Sequence, residues 1–244
     1  MQSKSILLSL AGLGIGFLLG FLVANSINRV EIEKLRANRV SSNVADASVA
    51  ASADLTLDEI HSKIAEADAN PANSSYQKNL GLALYKYGSL KNDSEIISEA
   101  ARLLERAARL SPSDQDIRIG LGNAWFDIGY LNKDNESLEK ARGQYERALA
   151  QSPNDAGLLT DLGMTYFLEE PPNDVKAIYS FKQALAKDPK NEKALQFIIQ
   201  SLTRTRNKTE ALNYLQKLRS EYPSDKSIDG LEVQINSIKE QGVK

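Results

Sequence analysis

Residues 162–189 read LGMTYFLEEPPNDVKAIYSFKQALAKDP, and this stretch decides the fold. Ala177, Phe181 and Ala184 stand at the i, i+4, i+7 spacing that brings side chains onto one face of a helix. Pro189 ends that helix, because proline lacks an amide donor and restricts the residue before it. Leu162-Gly163, followed three residues later by Tyr166, marks an earlier helix. Glycine there lets a second helix approach closely while the large residue fills the next groove. Between the two lies Glu169-Glu170-Pro171-Pro172-Asn173-Asp174, whose prolines stiffen a short connection. The stretch is one helical hairpin.

The same spacing recurs along the chain. Ala100/Leu104/Ala107/Pro112 and Ala141/Tyr145/Ala148/Pro153 precede it, and Ala211/Leu215/Leu218/Pro223 follows with leucine in place of the second alanine. Each copy has its own leading pair and large residue: Leu80-Gly81 with Leu84, Leu121-Gly122 with Trp125, and Ile198-Ile199 with Leu202. The pattern resembles the tetratricopeptide repeat, with its Leu-Gly-x-x-Tyr, Ala-x-x-x-Phe and Pro signature. That resemblance implies an all-α, right-handed solenoid of about four hairpins, over 74–112, 113–153, 154–189 and 190–223. Within 224–244, Ile228, Leu231, Ile235 and Ile238 form an apolar stripe suited to a capping helix over the last repeat.

The first two repeats carry extra residues, SLKNDSEIISE after Gly88 and YLNKDNESLEK after Gly129. Their polar runs predict a longer loop and a second helix extended by a turn or more. Gly88 and Gly129 are placed in the turn, where glycine takes a left-handed conformation most easily.

Upstream the chain changes character. After a short tail (1–5), Ile6 to Ala24 read ILLSLAGLGIGFLLGFLVA without a charge. As a helix this spans about 28 Å at 1.5 Å per residue, close to the hydrocarbon thickness of a bilayer. A cleaved signal peptide would have a shorter apolar core and a better small-x-small site than the residues near Ala24 offer, so the segment reads as a transmembrane helix. Gly12, Gly16 and Gly20 make two overlapping GxxxG patterns on one face, which suit self-association in the membrane. Residues 25–37 continue as a juxtamembrane helix, 38–56 form a flexible linker rich in Ala and Ser, and 57–73 hold a leading helix with Leu57, Ile60, Ile64 and Ala67 before Pro71. Lysine and arginine counts favour a cytoplasmic downstream side, yet the short tail favours an uncleaved signal anchor. The expected location is a bacterial inner membrane with the repeats in the periplasm.

Composition narrows the function. Thirty basic and 32 acidic side chains give a net charge of −2, without the basic excess that nucleic-acid binding requires. The chain has no cysteine and one histidine, His61, which removes thiolate and multi-histidine metal sites. No nucleophile–base pair or phosphate loop is visible, so neither an enzyme nor a cofactor is expected. In proteins this chain resembles, peptides lie against the first helices of the repeats. Tyr85, Phe126, Phe167 and Thr203 follow the large first-helix residues and would form a ladder along that face. Lys78, Lys86, Asn123, Gln196, Gln200 and Arg204 fall nearby and suit a peptide backbone or carboxylate. The clamp that related repeats use for acidic chaperone tails is absent, because only Lys78 matches it, while Leu82, Gly120, Gly157 and Asp161 fill its other places. The expected function is a membrane-anchored scaffold for a protein or peptide partner, similar to factors of c-type cytochrome maturation or envelope protein assembly. A homo-oligomeric assembly platform is the second reading.

Overall fold

The computed structural model describes residues 56–238. The expected transmembrane helix, its glycine face, the juxtamembrane helix and most of the linker lie outside these residues. Among the described residues all regular structure is helical: α1 (Leu57–Ala69), α2 (Ser74–Lys91), α3 (Ser94–Leu110), α4 (Gln115–Asn132), α5 (Asn135–Gln151), α6 (Ala156–Phe167), α7 (Asp174–Lys187), α8 (Glu192–Arg204), α9 (Lys208–Glu221) and α10 (Ile228–Asn236). The pairs α2/α3, α4/α5, α6/α7 and α8/α9 pack as hairpins, and each hairpin packs on the next. First helices also touch directly, α2 on α4 and α6 on α8, which places the two members of each pair on a common side.

One four-residue turn joins successive hairpins. It reads Ser-Pro-Ser-Asp at 111–114, Ser-Pro-Asn-Asp at 152–155 and Asp-Pro-Lys-Asn at 188–191. The residue before each proline leaves the helical conformation and donates its amide back into the ending helix, as Ser111 does to Ala107 at 2.8 Å. The last residue caps the next helix: Asp114, Asp155 and Asn191 accept from the amides of Ile117, Leu158 and Ala194. Asn70-Pro71-Ala72-Asn73 repeats this turn after α1, with Asn73 accepting from the Tyr76 amide. The leading helix therefore ends as a second helix of a hairpin would, and it covers the open side of α2 with Ile60 and Ala67. At the other end α10 buries Ile228, Leu231 and Ile235.

Core glycines mark the tightest crossings. A Cβ at Gly81 would stand 2.8 Å from Leu104, at Gly122 2.7 Å from Tyr145, and at Gly163 2.5 Å from Phe181. In the first three hairpins the aromatic or leucine of the second helix thus rests directly on the first-helix backbone.

The long repeats correct one expectation. Gly88 and Gly129 lie inside α2 and α4, and among the described residues no glycine has a positive φ. The left-handed residues are Asn92, Lys133 and Arg206. After them the amides of Asp93, Asp134 and Asn207 reach back to the carbonyls of Gly88, Gly129 and Leu202 at 2.8–2.9 Å, a Schellman closure. The extra residues lengthen both helices, to 18 and 17 residues against 12 and 14 in the third hairpin. Their connection stays short, because Asp93 and Asp134 cap the following helix immediately. Glycine suits position 88 within the helix, because a Cβ there would stand 2.9 Å from Ile97 on the returning helix. Lys133 carries left-handed strain that glycine would avoid. Lys133→Gly is expected to raise stability by about 0.5–1 kcal/mol, read as a higher urea midpoint.

Candidate functional site

The first-helix face of α2, α4, α6 and α8 carries the residues singled out by spacing. Most of them are engaged within the array. Lys78 on α2 reaches Asp114 at 2.8 Å and Asp116 at 3.1 Å, tying the first hairpin to the start of the second. Burial alone would lower the Lys78 pKa, but its hydrogen bonds to Asp114 and Asp116 outweigh that and raise it. Asn123 accepts a hydrogen bond from the Tyr145 hydroxyl at 2.9 Å, and Gln196 donates to Asp225 at 2.8 Å. Arg204 lies 3.8 Å over the Phe167 ring and holds Asp174 at 2.6 Å, so it fastens α8 to the start of α7.

The aromatic ladder is displaced inward. Phe126 is 7% exposed and Phe167 only 3%, with the Phe167 ring edge-on to Phe197 at 4.9 Å. Phe167 fills the contact between the first helices α6 and α8, and Phe126 is buried within the array. They cannot be surface anchors, and truncating them would damage the core. Tyr85 is half-buried against the cluster containing Ile97 and Leu104, Lys86 is exposed, and Thr203 donates to the Ile199 carbonyl. Gln200 is half-buried with its Oε1 lacking a hydrogen-bond partner. Of the expected set, Lys86 and Arg204 are exposed, and Tyr85, Asn123, Gln200 and Thr203 are half-buried.

Two features of this face escaped the spacing argument. Asp127, 9% exposed, accepts from the Ser89 hydroxyl at 2.7 Å, and Lys193 pairs with Asp161 at 2.8 Å. Their signal in the sequence is a complementary polar pair about one repeat apart, the same relation as Lys78 with Asp114. Among the described residues no cluster suited to a metal ion occurs, and no helix is long and apolar enough to cross a membrane.

Asp114 joins two roles, as cap of α4 and as partner of Lys78. Burial pushes its carboxyl up, but the Lys78 hydrogen bond and the Ile117 amide prevail and leave it lowered. Its contribution is therefore complete above about pH 4 and is lost as pH falls through the lower folded value. Asp114→Ala is expected to cost about 1–2 kcal/mol at neutral pH in urea unfolding. Asp114→Asn, which keeps the cap acceptor, should cost less and flatten the acid limb of stability against pH.

Comparison with known proteins agrees with this geometry. Tetratricopeptide repeat models match residues 175–235 in one case, and 97–156 and 126–192 in another. A crystal structure of MamA protein shares 19% identity over 68% of this chain and 81% of its own, with a TM-score of 0.55. MamA from Desulfovibrio magneticus RS-1 gives 19% identity, 70% and 87% coverage, and a TM-score of 0.55. A thermophilic TPR protein of Thermus thermophilus gives 20%, 74% and 88%, and 0.50. At such identities the likeness concerns the fold alone. No curated protein matches the sequence. The family matches together run through residues 97–235, more than half of the chain, so this chain belongs to the tetratricopeptide repeat family.

Proposed function

We propose that this protein is a scaffold that holds a segment of another protein against the first-helix face of its repeats. The observation that supports it most is the stack of four hairpins with first helices paired on a common side, α2 with α4 and α6 with α8. The helices of such a face are already formed and packed before any partner arrives, which lowers the ordering cost of binding. With Phe126 and Phe167 buried, the contacts fall to Tyr85, Lys86, Gln200 and Thr203 at the surface. The reading extends to a membrane-held scaffold, on the strength of the uncharged segment from Ile6 to Ala24. Periplasmic placement and service in c-type cytochrome maturation or envelope assembly belong to the same proposal.

Site-specific photo-crosslinking in native membranes tests it. A photoreactive residue at Lys86 or Gln200 should capture the same heterologous protein, whereas one at Val175, 77% exposed on the second helix α7, should not. Capture of only a second copy of the chain would favour the assembly-platform reading. Equal capture from all three positions, or none, would defeat the proposal.

A further inference from the structure

Away from the first-helix face, the junction of α5 with the end of α6 and the start of α7 forms an open pocket of about 370 Å3. Its walls include Arg142 and Gly143 of α5, Tyr166 of α6 and Glu169 just beyond, with Lys176 at the rim. The repeats allow this junction to be compared with its neighbours. At the positions corresponding to Arg142, Gly143, Tyr166 and Glu169, the preceding junction has Ala101, Arg102, Trp125 and Ile128. Ala101, Trp125 and Ile128 pack there as part of one apolar cluster. The following junction has Ile178, Tyr179, Leu202 and Thr205. At these four positions the middle junction holds an arginine, a glycine, a tyrosine and a glutamate, whereas the preceding one keeps a charge at Arg102 alone and the following one has none.

Packing gives no reason for that exchange. Arg142 and Glu169 are 13% and 18% exposed, 2.6 Å apart, with the guanidinium 4.7 Å from the Tyr166 ring. An ion pair so far withdrawn from water carries a desolvation cost that an alanine and an isoleucine avoid. Gly143 lies in mid-helix, where glycine is disfavoured relative to alanine, yet a Cβ there would meet nothing within 4 Å. Unlike Gly163, it answers no close approach; its missing side chain leaves the cavity open against the α5 backbone. Glu139 and Glu146 flank it on the same helix face, and neither has an ion-pair partner within 4.0 Å among the described residues. The lining thus holds three carboxylates against Arg142 and Lys176.

We propose that this cavity receives a basic side chain, arginine or lysine, from a partner protein. The aliphatic stem lies over Gly143 beside Tyr166, and the charged head sits between Glu139 and Glu146. The site is separate from the first-helix face, and either can fail without the other.

The test uses the full-length chain labelled with 3-fluorotyrosine, with the Tyr166 resonance assigned by Tyr166→Phe. The probe is a capped glycine–arginine–glycine tripeptide, and its control carries citrulline, which keeps the shape without the charge. The arginine peptide should shift the Tyr166 signal saturably below about 10 mM, and the citrulline peptide should not. Gly143→Arg, which installs the residue found at position 102 of α3, should weaken the response at least about tenfold. Glu139→Gln combined with Glu146→Gln should do the same without adding bulk. Absence of a saturable shift, an equal response to citrulline, or unchanged affinity in the double glutamine variant would overturn the proposal.

Discussion

Phe181→Ala is expected to lower stability by about 3–5 kcal/mol, the largest effect expected of any side-chain truncation in the array. Phe181 is fully buried, its ring lies against Gly163 of α6, and it stacks on Phe197 of α8 at 6.3 Å. One side chain therefore joins three helices across two repeats. A solenoid is held by contacts between neighbours, so losing this one weakens both the third hairpin and its interface with the fourth. Urea unfolding followed by far-ultraviolet circular dichroism should show a markedly lower midpoint. A second transition should emerge if the fourth hairpin uncouples. A midpoint within error of the parent would refute the assignment of Phe181 as the central contact.

Gly163→Ala should be next in size, at about 2–3 kcal/mol, although alanine is the better helix former. The added methyl would stand 2.5 Å from one atom of the Phe181 ring and 2.7 Å from another, and that ring is enclosed on all sides. Overpacking at a rigid contact outweighs the gain in helix propensity of about 1 kcal/mol. The same substitution at Gly143 should have the opposite sign, a gain of about 0.5–1 kcal/mol, because nothing lies within 4 Å of the new methyl. Measuring both variants by urea unfolding separates contact from propensity. If both rose in stability, the close approach at Gly163 would be disproved.

Much of the architecture is legible in the sequence because its determinants are local. Prolines at 112, 153, 189 and 223 each follow a helix end, and the small residue paired with a large one reports a helix crossing wherever it recurs. The turn at Asn70–Asn73 is equally local, but without a matching hairpin before it only the fold shows it as a copy of the same motif. The site is far less legible. Phe126 and Phe167 have the spacing of groove residues, yet spacing cannot tell a ring that lines a face from one that fills the contact beneath it. Lys78 and Arg204 have ligand-binding chemistry, but Asp114 and Asp174 already hold them.

By itself the sequence determined a helical repeat array, because periodic apolar positions, prolines and caps act through neighbours a few residues away. It also determined an uncharged segment from Ile6 to Ala24, a property of composition alone. The tertiary structure decided the rest. It carried α2 and α4 through Gly88 and Gly129, where the returning helix packs against the backbone too closely for a side chain. It buried Phe126 and Phe167 of the aromatic ladder and set the ion pair of Arg142 with Glu169 at one inter-repeat junction. Each of these depends on how closely helices far apart in sequence approach, a distance that no local pattern encodes.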